Sequence, residues 1–138
     1  MLTFIIGALV VLHGLVHLLY SGQSWRLFEL QPGMVWPENA WTLSRLLGNH
    51  ALRAFATLAC ALASIGFVAG AAGILLGQDW WRSIVVGSAT FSTVLFALFW
   101  DGRTEHLAEK GAVGMLIDLA IVIAVVVAPW RQFMYGPG

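Results

Sequence analysis

Polar and charged residues in this chain gather in short clusters that separate four long apolar stretches: Leu2–Tyr20, Ala51–Gly77, Trp81–Trp100 and Ala112–Trp130. Each is close to, or above, the roughly 20 helical residues needed to cross about 30 Å of hydrocarbon. The stretches are continuous and do not alternate, and a transmembrane barrel needs at least about eight strands, so strands are excluded as spanning elements. A helix satisfies its own backbone groups where there is no water, which makes it the default solution. The pattern therefore predicts an all-α integral membrane protein, an antiparallel four-transmembrane-helix bundle forming one domain over residues 1–138. Leu2–Tyr20 has no basic segment before it and no clean small-x-small cleavage site after it, so it is read as a retained helix.

The polar intervals set the connectivity. Gln78, Asp79 and Trp80 form a tight turn that makes the second and third helices antiparallel neighbours. Asp101–Gly111 joins the third to the fourth and is polar and charged. The first connection, Ser21–His50, is long and carries Pro32, Pro37 and several tryptophans. Within it Asn39 is expected to cap a short surface helix running through Trp41 to Leu47 and towards the second span.

Composition adds lipid to the picture. Apolar residues make up 59% of the chain and charged residues 10%, against about 25% charged in soluble domains. A chain this poor in charge cannot cover its own surface with polar groups, so the lipid bilayer is its expected partner. Lys+Arg and Asp+Glu balance at 7 each, which removes the basic field that nucleic-acid binding requires. The lone Cys60 excludes an intrachain disulfide. Trp80, Trp81 and Trp130 fall at one expected interface and Trp25, Trp36, Trp41 and Trp100 at the other, as an aromatic belt would. Arg26, Arg45, Arg53, Arg103 and Lys110 lie on the side of the long loop, Arg82 and Arg131 opposite. That excess places the first loop in the cytoplasm and both termini outside a multi-pass cytoplasmic membrane protein.

Ionisable residues inside the spans are the candidates for function, because a polar group in hydrocarbon costs free energy. His13 and His17, in His13-Gly14-Leu15-Val16-His17, share one face of the first helix at i,i+4. Two imidazoles so spaced can take adjacent positions on one metal ion but cannot be opposite axial ligands of one haem. The plainer reading is that they hydrogen-bond to neighbouring helices. Measured from Tyr20, His13 lies about 10 Å deep; measured from Ala112, Asp118 lies about 9 Å deep. The matching depths predict a His13–Asp118 contact, with Gly111 and Gly114 providing a small-residue face that brings the fourth helix to Gly14. Arg53 and His50, at the start of the second helix, complete the candidate polar cluster. Arg53 needs an anion, for which Asp118, Asp101 and Glu29 are candidates, or it snorkels to headgroups. His106, beside Glu105 and Glu109, falls on the same side. Gly66, Gly70 and Gly73 allow close helix packing within the bundle or between copies. The hydroxyls of Ser83, Ser88, Thr90, Ser92 and Thr93 are expected to bond to their own helix.

The run His13-Gly-Leu-Val-His17-Leu, the arginine at the start of the second helix and Gly114-Met-Leu-Ile-Asp118-Leu resemble small prokaryotic four-helix membrane proteins that bring no established activity with them. The Gly7 to Gly14 region and the glycine-rich second helix are more loosely similar to the DoxX-like family, some members of which are linked to sulfur and quinone redox chemistry. No site residue is carried over from either.

The leading expectation is a small non-enzymatic membrane protein, self-associated or an accessory subunit of a larger membrane complex, whose cluster is structural or binds a ligand. The alternative is a redox protein that binds a metal, haem or quinone through His13 and His17. Proton or ion conduction would need a polar route across the whole bundle, and the half away from the long loop is nearly all apolar.

Overall fold

The computed structural model describes residues 1–104, 111–128 and 130. Four α-helices are formed among the described residues: α1 (Leu2–Ser24), α2 (Asn49–Leu75), α3 (Trp81–Leu98) and α4 (Ala112–Val127). No strand occurs among the described residues. Three of the helices, α1, α2 and α3, are long and apolar enough to cross a membrane. α4 is shorter, at 16 residues, a rise of about 24 Å.

The helices pack in chain order, α1 on α2, α2 on α3 and α3 on α4. Small residues set the α2–α3 spacing. Gly66 lies against Ser88, Gly70 against Val85 and Gly73 against Trp81, so partners descend α3 as the glycines ascend α2. The glycine stripe is therefore used within the molecule. The hairpin between them is held by the Gln78 backbone N–H donating to the Gly73 carbonyl at 2.9 Å.

Two apolar clusters fill the interior. One gathers Val10, Phe67, Ala71, Ile74, Trp81, Val85, Ala89 and Val125. The other gathers Leu52, Ala56, Cys60, Leu95, Phe96 and Phe99 with Met34, Trp36 and Ala40 from the long first loop. That loop is part of the core. Trp36 is buried and packs against Tyr20, Phe96 and Phe99, with ring centroids 5.2, 5.9 and 5.6 Å away.

The loop is anchored where it leaves α1. The Arg26 N–H donates to the Gln23 carbonyl and the Leu27 N–H to the Gly22 carbonyl, at 3.0 and 3.1 Å. This is the paired closure of a Schellman motif, with Arg26 in the left-handed position at φ 58°. Gln23 is fully buried; its side chain donates to the Met34 carbonyl and accepts from the Leu30 N–H.

The short surface helix expected from Asn39 to Leu47 is not formed; a single 3₁₀ turn, Leu43–Arg45, stands there. The backbone before it is committed elsewhere. The Trp41 N–H donates to the Trp100 carbonyl at 2.9 Å, and the Thr42 hydroxyl, at the position that could cap, donates to the Leu98 carbonyl. Gly48 then breaks the chain before α2 begins.

Candidate functional site

Val10, His13, Gly14 and His17 follow an i, i+3, i+4, i+7 spacing and form the buried stripe of α1. Because α1 continues to Ser24, His13 sits at its midpoint, about 16 Å from either end. That is deeper than the apolar run ending at Tyr20 implies. Phe67 of α2 lies against both imidazoles, with ring centroids 4.8 Å from His13 and 5.4 Å from His17. Gly14 makes room for it.

His13 Nε2 donates to Asp118 Oδ1 at 2.7 Å, so the expected contact between the first and fourth helices is present. The route to it differs from the expectation. A Cβ on Gly114 would meet nothing within 4 Å, and Gly14 faces Phe67 and Ser64 of α2. The two side chains bridge the space between α1 and α4, and no close approach of small residues brings these helices together. Gly111 instead packs on Phe96, and it starts α4 with a left-handed φ of 87°.

His17 Nδ1 donates to the His13 carbonyl at 3.1 Å. A carbonyl only accepts, so this bond fixes the proton on Nδ1 and leaves the lone pair on Nε2. The Ser92 hydroxyl of α3 lies 2.7 Å from that nitrogen and donates to it. Ser92 was expected to bond to its own helix, as Ser88 and Thr93 do. Its position was nevertheless legible. Val85, Ala89, Ser92 and Phe96 lie on the buried face of α3 at i, i+4, i+7 and i+11, which turns Ser92 inward with the core residues.

Burial of the cluster is nearly complete: His13 is 8% exposed, His17 2%, and Asp118 and Ser92 0%. Asp118 Oδ2 makes no hydrogen bond among the described residues. His13, His17 and Asp118 each offer a ligand atom for a metal, and these atoms lie within 4.8 Å of one another.

The other candidates lie outside this cluster. Arg53 reaches Glu38, which none of the sequence candidates Asp118, Asp101 and Glu29 anticipated. The folding of the long loop over the start of α2 carries Glu38 there. Glu38 also accepts from Arg26 Nη2 at 3.0 Å, so one carboxylate joins two guanidinium groups. Burial pushes the Glu38 carboxyl up, but the hydrogen bonds and charges of Arg53 and Arg26 outweigh this and hold it below its ordinary value. His50 is exposed and meets Trp25 edge-on at 5.6 Å. His106, Glu105, Glu109, Lys110 and Arg131 lie outside the described residues. No family model, curated protein or solved structure matches the chain.

Proposed function

We propose that this chain is an integral protein of the cytoplasmic membrane, crossing it four times as an antiparallel helix bundle with the long loop in the cytoplasm. In this reading it is a non-enzymatic binding subunit, self-associated or part of a larger membrane complex, that holds a ligand at His13, His17 and Asp118. Membrane insertion is supported by three helices of spanning length and by large apolar side chains on their outer faces, among them Phe4, Leu58, Leu62 and Ile65, all more than half exposed. Apolar surface this extensive marks contact with lipid or protein. α4, at 16 residues, fits where the bilayer thins locally around it.

The observation that carries the binding reading is the Asp118 carboxylate, fully buried with one oxygen unpartnered among the described residues. A carboxylate kept only to pin helices together would have both oxygens satisfied, since an unpaired buried polar atom costs about 1–3 kcal/mol. Conduction is disfavoured because the polar layer lies between two apolar clusters and touches both, through Phe67 on one side and Phe96 on the other.

Thermal unfolding of Asp118→Asn in detergent, with chelator present, tests the binding reading. The variant keeps an acceptor for His13 and loses the buried charge, so its Tm is expected to equal or exceed that of the unaltered chain. A Tm several degrees lower would make the cluster a structural pin and end the proposal.

A further inference from the structure

The chemistry of the cluster narrows what it can hold. Its donors are two imidazoles and one carboxylate from α1 and α4. Cys60 stands apart, in the apolar cluster beneath the long loop. Nitrogen and oxygen donors of this kind suit divalent first-row metals, and two histidines with one carboxylate form a familiar three-point set.

Three features prepare these residues for a cation. His17 has its Nδ1 proton held by the His13 carbonyl, which leaves a lone pair on Nε2, where Ser92 now donates; metal-binding histidines are commonly oriented this way through the other ring nitrogen. Asp118 Oδ2 is buried and unpartnered among the described residues, an acceptor that lacks a positive partner. The 2.7 Å bond from His13 Nε2–H to Asp118 Oδ1 holds two of the ligating groups side by side; for Nε2 to bind a metal, its proton moves to Nδ1 of the same ring.

Size separates an ion from an organic ligand. Phe67 and Asp118 are 0% exposed and His17 2%, so a quinone ring has no room beside these imidazoles. A single metal ion needs far less. Bonds of about 2.0–2.2 Å place tetrahedral ligand atoms about 3.3 Å apart. The present set lies within 4.8 Å, so its side chains must draw together to hold an ion.

We infer that the ligand is a single divalent first-row transition-metal ion, held by one nitrogen each of His13 and His17 and by the Asp118 carboxylate. The inference rests on the binding reading above and gives that ligand its chemical class. Three protein ligands leave a coordination position open, unlike a closed four-ligand structural site. Ser92 competes for His17 Nε2 and is displaced on loading.

The test is titration of the full chain, purified in detergent and stripped by chelation, with Co²⁺ as the probe. One equivalent is expected to bind and give visible ligand-field bands, which Zn²⁺ then displaces. His17→Ala and Asp118→Asn are expected to lose the bands while keeping their helical circular dichroism and elution volume. Ser92→Ala, which only removes the competing hydroxyl, is expected to bind Co²⁺ about threefold more tightly, the worth of a modest hydrogen bond. Should His17→Ala fail to fold, Asp118→Asn and Ser92→Ala still decide the matter. A folded wild-type chain without stoichiometric Co²⁺, or bands that persist in Asp118→Asn, overturns the metal assignment. If Co²⁺ fails while the Asp118→Asn Tm holds or rises, only the metal class is lost; a Tm that falls sinks the binding reading with it.

Discussion

Gly14 and Phe67 stand so close that a methyl group on Gly14 would lie 2.7 Å from the Phe67 Cβ and 3.3 Å from the Ser64 carbonyl oxygen. The glycine inside the His13–His17 motif is thus where α2 closes on α1. Phe67, fully buried, then covers both imidazoles. Because the Phe67 Cβ cannot move without its backbone, Gly14→Ala is expected to force α2 outward and destabilise the bundle by about 1–3 kcal/mol. Gly114→Ala, which meets open space, is expected to be neutral or slightly stabilising through helix propensity. Unfolding of the two variants in mixed micelles compares them directly. Equal losses would contradict the packing described for α1 and α2.

Trp36 joins the loop to the bundle, and Trp36→Ala removes a buried indole that touches Tyr20, Phe96 and Phe99. The expected cost is about 3–5 kcal/mol, with proteolytic cleavage appearing between Leu27 and Leu47 before the helices unfold. A loop as resistant to protease in the variant as in the original would show that the indole does not hold it down.

The cluster was partly legible in the sequence because helix rise is regular. Counting residues from the ends of two apolar runs put His13 and Asp118 at one level, and they meet. The counting ended α1 at Tyr20, since Ser21, Gln23 and Ser24 look like loop. They stay helical because each finds a partner: Ser21 and Ser24 at Thr57, Gln23 at Met34 and Leu30. A serine hydroxyl normally finds a carbonyl one turn back, as Ser88 on the same buried face of α3 does, and only His17 Nε2 opposite draws Ser92 away from that pattern. The loop was the least legible part. Its anchors join residues at distances that no periodicity encodes, such as Glu38 with Arg26 and Arg53.

Those anchors give the loop a defined response to acid. The Glu38 carboxyl titrates below its ordinary value in the folded chain, so the folded state holds this proton less tightly than the unfolded one. Its contribution is complete above the unfolded carboxylate pKa of about 4.3 and is lost as pH falls through the lower folded value. Protection of the Leu30 and Met34 amide protons, which hydrogen-bond to Gln23 Oε1 and the Gln31 carbonyl, is expected to stay level from about pH 5 upward and to drop in stronger acid. In Glu38→Gln protection is expected to be lower at neutral pH and its acid-dependent step absent. A step that survives the substitution would assign it to another carboxylate.

Arg26 poses a local conflict between backbone and side chain. Its φ of 58° is a conformation that a β-carbon disfavours by about 1–2 kcal/mol. Its guanidinium offsets that strain by donating to the Met34 carbonyl at 2.6 Å and to Glu38 at 3.0 Å. Substituting Ala keeps the strain and loses both bonds, whereas Gly loses the bonds but relieves the strain. Both variants are therefore expected to be less stable than the original chain, with Arg26→Gly the more stable of the two by about 1 kcal/mol. Thermal unfolding in one detergent ranks the three proteins. If Arg26→Ala matches or exceeds Arg26→Gly, the end of α1 does not adopt the left-handed closure. If Arg26→Gly exceeds the original chain, the two guanidinium bonds contribute less than the strain they offset.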